Sequence, residues 1–190
     1  MYCNAALEGI SKATISDDRK PALMGEAIVL RAMYYYVLTC SFGDVPFYTE
    51  NVGSLGALEK IAKLGRMPAG ETRKKLIAEL QEYVPHLPQA RTADVPQNRI
   101  SAPIAYMLIG KMALWEKDYT TCTNAMEEIR KIYGQLTQYS LTDTYFRNKN
   151  TGESIFEVQY IWSAAGLKRQ RTLPVSSRPP RPPARAPTMA

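Results

Sequence analysis

Histidine is almost absent from this 190-residue chain, with His86 the single example. One imidazole excludes a multi-histidine metal site and leaves little basis for a serine or cysteine triad. His86 lies beside Pro85 near a helix end and reads as a surface or capping residue. Cysteine is scarce too: Cys3, Cys40 and Cys122 are odd in number, far apart and without CxxC spacing, so neither a disulfide framework nor a metal site is expected. Cys40 and Cys122 fall on apolar helix positions and read as small buried side chains. Neither GxGxxG nor a Walker motif occurs, which removes support for nucleotide binding, and no cofactor is called for. The longest apolar run, Ala27 to Cys40, is too short to span a bilayer and contains Arg31. A charged leader followed by an apolar segment is also missing at the start. Taken alone that suggests a cytosolic protein; the missing start of a longer protein accounts for it equally well.

Acidic residues are missing from the whole stretch after Glu157, where Lys168, Arg169, Arg171, Arg178, Arg181 and Arg185 lie. These are six of the 24 basic residues, and the 18 that remain balance 18 acidic ones. The net charge of +6 therefore belongs to the tail, and the neutral body carries no signature of nucleic-acid binding. The tail also holds six of the 13 prolines. Residues 163–190 read as a disordered, basic, proline-rich tail with polyproline-II character around Pro179 to Pro183. An SH3-type ligand, a featureless tail and an out-of-frame translation are the competing readings.

What is present is helical periodicity. Pro21 to Pro46 is the central element, with Leu23, Ala27, Leu30, Tyr34, Val37 and Cys40 or Ser41 recurring at steps of three and four. Its other faces are also apolar, so burial on several sides is expected, with Gly25, Ala27 and Ala32 admitting close neighbours. Ser16-Asp17-Asp18 offers an N-cap, Gly43 a left-handed C-cap and Pro46 a stop. An earlier helix ends near Ile15, and a short one is expected from Leu55 to Leu64. Thr72 is placed to cap a helix running to Leu87 whose apolar face is Leu76, Leu80, Tyr83 and Leu87, with Lys75 and Glu79 paired on the exposed side. Ser101 caps the next helix, with Ala105, Leu108, Ile109, Met112 and Trp115 as its buried stripe. After a turn at Lys117-Asp118-Tyr119 a second helix reaches Tyr133 through Cys122, Met126 and Ile129. That pair resembles a tetratricopeptide hairpin, with Gly110 and Cys122 at its small positions. Leu141, Tyr145 and Phe146 lie in a loop, and SIFEVQYIW reads as one strand near 153–161 without a visible partner.

Candidate chemistry is sparse. Glu153 and Glu157 share one face of the expected strand, but that spacing sets their α-carbons about 13 Å apart, and a salt-bridged or solvated strand is the stronger reading than a glycosidase pair. Arg31 inside the central helix needs a partner, for which Asp44, Glu26 or a residue beyond this chain is available. Phe47 and Tyr48, in the loop after the central helix, are the candidates for a ligand-contact surface, with packing as their competing role. No catalytic or metal-ligating residue is identified.

Several segments in order resemble the SusD/RagB family of outer-membrane nutrient-binding lipoproteins of Bacteroidetes. GEAIVLRAMYYYVLTCSFGDVPFYTE (Gly25 to Glu50) looks like the family's hallmark segment. Leu76 to Pro88 is similar to its DLxxAxxxLP helix, and Asn98 to Trp115 with Lys117-Asp118-Tyr119 to its next helix and turn. Gly152 to Tyr160 is similar to its EsIFevqy strand. The resemblance covers about residues 1–162. It implies a mainly α fold, an incomplete superhelix of TPR-like hairpins, carrying a short β segment. It implies a binding protein rather than an enzyme, one that holds glycan at the cell surface and works with a TonB-dependent SusC-like transporter. Family members reach the outer membrane through an N-terminal lipid anchor. Cys3 lacks that context, so a chain missing both ends of the family pattern is expected. The alternative is a TPR-type protein–protein scaffold with no sugar-binding role.

Overall fold

The computed structural model describes residues 2–139, 151–158, 160–163 and 166–169. Residues 1–157 form one unit and 158–190 a second. The first unit is built from six helices: α1 (Tyr2–Lys12), α2 (Lys20–Phe42), α3 (Leu55–Ala62), α4 (Ala69–Tyr83), α5 (Ala102–Trp115) and α6 (Tyr119–Tyr133). The mainly α architecture expected from periodicity is therefore observed.

α2 is the axis, touching α1, α4 and α5. The core joins Ile28, Val29 and Ala32 of α2 to Leu76 and Leu80 of α4 and to Ala105, Leu108, Ile109 and Met112 of α5. Each fully buried large aliphatic contributes about 1.5–3 kcal/mol. The face of α2 differs from the periodic reading. Gly25, Ala27, Ile28, Val29, Ala32 and Tyr35 point inward, whereas Tyr34, Val37 and Cys40 of the expected stripe are exposed. A helix that is apolar all round has no single hydrophobic face to read. The small residues select the inner one here: a Cβ on Gly25 would sit 3.1 Å from Leu87 Cδ2 and 3.5 Å from the Tyr83 carbonyl oxygen at the end of α4, so the glycine lets α2 approach this segment closely.

The expected helix ends are met by other means. Gly43 adopts φ 67° and its N–H donates to Thr39 O at 3.1 Å, as a glycine C-cap should. Val45 and Met67 then exchange two backbone hydrogen bonds, returning the chain to the start of α4. Asp44 Oδ1 accepts from Ala69 N at 2.8 Å and so caps α4, the role expected of Thr72. Thr72 is fully buried inside α4. α2 begins after Arg19 with no side-chain cap, so Ser16-Asp17-Asp18 is a turn that accepts backbone bonds from Arg19 and Lys20 at Ser16 O.

Arg31 is 5% exposed, and its partners are not the expected ones. Asp44 serves α4, and Glu26 pairs with Arg99 at 2.7 Å. The guanidinium instead pairs with Glu79 of α4 and donates to Asn4 Oδ1 of α1 at 2.9 Å. Glu79 thus turns inward from the exposed pairing with Lys75 that its spacing suggested. The demand of a buried guanidinium outweighs an exposed i,i+4 pair of about 0.2–0.5 kcal/mol.

α5 and α6 form the TPR-like hairpin. Lys117 takes φ 59° at the turn, and Asp118 Oδ1 accepts from Thr121 N at 3.0 Å. Gly110 faces Ala125 and the Met126 methyl, where any Cβ would collide with that methyl. Trp115 departs from its expected buried stripe and is 58% exposed. Cys40 is exposed and Cys122 half-buried, so neither is the buried filler that spacing implied. Both sit where α2 and α6 turn toward solvent.

The strand reading is also corrected. In the first unit residues 154–157 are not strand; Thr92 donates to Ile155 O at 2.6 Å and Tyr133 OH to Ser154 O at 3.0 Å. In the second unit β1 (Tyr160–Ser163) pairs antiparallel with β2 (Gly166–Arg169), Tyr160 opposite Arg169. The partner of the strand is thus the stretch expected to be disordered tail, because a hairpin needs only a local reversal. Leu141, Tyr145, Phe146 and Pro179 to Pro183 lie outside the described residues.

Glu79→Gln leaves Arg31 buried without a counter-charge. Urea unfolding should show a loss of about 3–5 kcal/mol, and a change below about 1 kcal/mol would contradict the role given to this pair.

Candidate functional site

The loop that follows α2 places Phe47 and Tyr48, the two residues singled out by sequence. Both rings are half-buried. Phe47 lies against Tyr35 with ring centroids 4.9 Å apart and packs on the core. The Tyr35 hydroxyl accepts from Tyr48 N at 3.1 Å and donates to Tyr48 O at 3.2 Å. Asn4 Nδ2 donates to Tyr48 O at 3.2 Å and to Glu50 O at 3.0 Å. Further along, Asn51 donates to Glu8 at 2.7 Å, and Lys60 pairs with Glu50 at 2.8 Å. The loop is therefore held to α1 and α2 through its backbone, which frees its side chains from having to position it. Lys12 and Asn51 keep the Glu8 carboxyl below its usual range through hydrogen bonds.

A second concavity lies between α4, α5 and α6, lined by Gln81, Tyr106, Thr121, Asn124 and Glu128. Its volume of about 160 Å3 is below the roughly 300–1,000 Å3 of sites that enclose small molecules. It admits the edge of a ligand, with amide, hydroxyl and carboxylate groups facing one aromatic ring. Burial, with Glu128 nearby, pushes the Tyr106 phenol up, so that hydroxyl stays a neutral donor at physiological pH.

Among the described residues there is no cluster of His, Cys, Asp or Glu fit to hold a metal ion. Glu153 is exposed and Glu157 half-buried in a segment that is not strand, and His86 is exposed against Tyr83. Among the described residues no helix is long and apolar enough to cross a membrane. The arrangement offers aromatic rings beside amide, hydroxyl and carboxylate groups on a helical frame.

Residues 1–114 match the family model described as SusD-like, "Starch-binding associating with outer membrane". The chain belongs to the SusD-like family. A curated relative, the SusD-like protein P25 of Formosa agariphila, is 28% identical over 115 residues, covering 60% of this chain and 21% of the relative. The solved SusD-like protein of Bacteroides fragilis superposes with a TM-score of 0.67 at 25% identity, over 83% of this chain and 31% of that one. The surface glycan-binding protein A of Bacteroides thetaiotaomicron, solved with laminarihexaose, shares the fold with a TM-score of 0.61 at 23% identity, over 83% and 32% of the two chains. The chain thus spans about a fifth of the curated relative and about a third of the solved ones.

Tyr35 does more than pack, since its hydroxyl bonds both backbone groups of Tyr48. Burial raises its phenol pKa, since a phenolate would be poorly solvated there. The unfolded chain ionises near the ordinary value of about 10 and the folded chain only above it. Stability contributed by the neutral phenol is therefore complete below pH about 10 and lost as pH rises through the folded value. Thermal melts should hold steady from neutral pH to about 9 and fall beyond about 10. Tyr35→Phe should lower stability by about 1–3 kcal/mol through the stranded Tyr48 N–H and flatten the alkaline fall; an unchanged pH profile would contradict this assignment.

Proposed function

We propose that this chain binds oligosaccharide at the cell surface and acts together with a SusC-like, TonB-dependent transporter of the outer membrane. The family match over residues 1–114 carries the reading. The chemistry of the surface supports it. Sugars present an apolar C–H face and a ring of hydroxyls, and they are held by aromatic faces flanked by neutral polar groups. Phe47 and Tyr48 contribute the ring area that their packing leaves open, on a loop already ordered before a ligand arrives. Pre-ordering reduces the entropy lost on binding. The role is capture and delivery rather than catalysis: residues 153–157 do not form the strand on which Glu153 and Glu157 would share a face.

The alternative TPR-type scaffold draws on the α5–α6 hairpin. Solenoid adaptors stack several such units to build a binding surface, and α5–α6 is the hairpin of that spacing among the described residues.

Isothermal titration of the chain with laminarihexaose, maltohexaose, xylohexaose and a mannan oligosaccharide should give saturable binding to at least one. Heat traces indistinguishable from buffer across a broader glycan panel would remove the reading.

A further inference from the structure

One surface cluster shares no residue with the Phe47–Tyr48 loop or the lining of the Tyr106 groove. Trp115 ends α5 with 58% of its surface exposed. An exposed indole ordinarily swivels, but this one is held. The Arg73 guanidinium of α4 lies 5.5 Å from its ring centroid. Arg73 is fixed in turn by Glu116, its Nε donating to Oε1 at 2.7 Å, and these side chains are only 11% and 17% exposed. The backbone makes room for this pair: a Cβ on Gly70 would lie 2.7 Å from Glu116 Oε2. The hydroxyl of Tyr36 on α2 faces the indole of Trp115 and the thiol of Cys40. Three helices thus fix one aromatic ring while leaving much of it in water.

Arg73 and Glu116 neutralise each other, so the cluster has no net charge with which to select a phosphate or another ion. They also set hydrogen-bond donors and acceptors beside an open apolar face. That combination matches an uncharged ring with one C–H face and a rim of hydroxyls.

We propose that Trp115, clamped by Arg73 and Glu116, is a stacking platform for a pyranose unit of the bound glycan. The proposal rests on the glycan-binding reading above and names the surface that carries it. The exposed Leu114 and Tyr119, beside Trp115 in the chain, widen the apolar margin for a neighbouring sugar.

Trp115 and Trp162 are the two tryptophans. In a Trp162→Phe variant the fluorescence reports Trp115 alone. Titration of that full-length variant with whichever hexasaccharide binds in calorimetry should change its emission saturably, with the same midpoint as the heat signal. Trp115→Ala should weaken binding at least tenfold, while Trp115→Phe retains it within a few-fold. Calorimetric binding with no change in Trp115 emission would overturn the platform and leave the glycan reading standing. So would a Trp115→Ala protein of unchanged circular dichroism and unchanged affinity. Absence of binding to every sugar would remove both. Saturable binding of a peptide or protein partner, lost in Trp115→Ala while sugars bind undiminished, would assign the surface to protein instead.

Discussion

The buried guanidinium of Arg31 is the constraint around which the helices are arranged. A charge in the interior of α2 has to find partners, and it finds them on two other helices: Glu79 on α4 and Asn4 on α1. Asn4 passes the connection on, since its amide donates to the carbonyls of Tyr48 and Glu50. One polar junction therefore sets the register of α1, α2, α4 and the loop after α2. Apolar burial around it supplies most of the driving force, but such contacts are non-directional and tolerate sliding. A charged group with fixed donors does not.

That junction separates the features shared with the SusD-like family from those that would meet a ligand. Residues 1–114, which match the family model, include α2, the FGDVP turn and nearly all of α5. The surfaces proposed to meet sugar are carried on that frame. The Tyr48 backbone is tied to Tyr35, and Trp115 is fixed at the far end of α5 by residues from α4 and its own next neighbour. Stiff helices and polar anchors of this kind hold side chains in place before binding.

The helices were legible in the sequence because α-periodicity and capping are local. Leu76 and Leu80, or Leu108, Ile109 and Met112, repeat at a spacing that only a helix brings to one side, and they are buried. Gly43 and Gly110 were legible because a positive φ and a close helix crossing each favour a residue without Cβ. The inner face of α2 was not legible, because every face of it is apolar and periodicity then carries no direction. The partner of Arg31 was not either, since Glu79 lies 48 residues away and an i,i+4 neighbour gave it a plausible local role. Phe47 and Tyr48 stand out in the sequence through their aromaticity, but spacing could not show that one ring leans on Tyr35. Trp115 was assigned to the buried stripe because it continues the helical repeat of Met112, although α5 ends there and its neighbours fall away.

By itself, then, the sequence determined the helical class, the extents of most helices, the neutral body with its basic tail, and the family. These follow from near-neighbour spacing and from composition, which the linear order of residues contains. Tertiary structure alone decided which face of α2 is inside, which acid meets Arg31, which residue caps α4, and that Trp115 is exposed yet held. Each of those depends on segments distant in the chain meeting in space, and burial and charge pairing at such meetings outweigh the local preferences a sequence displays.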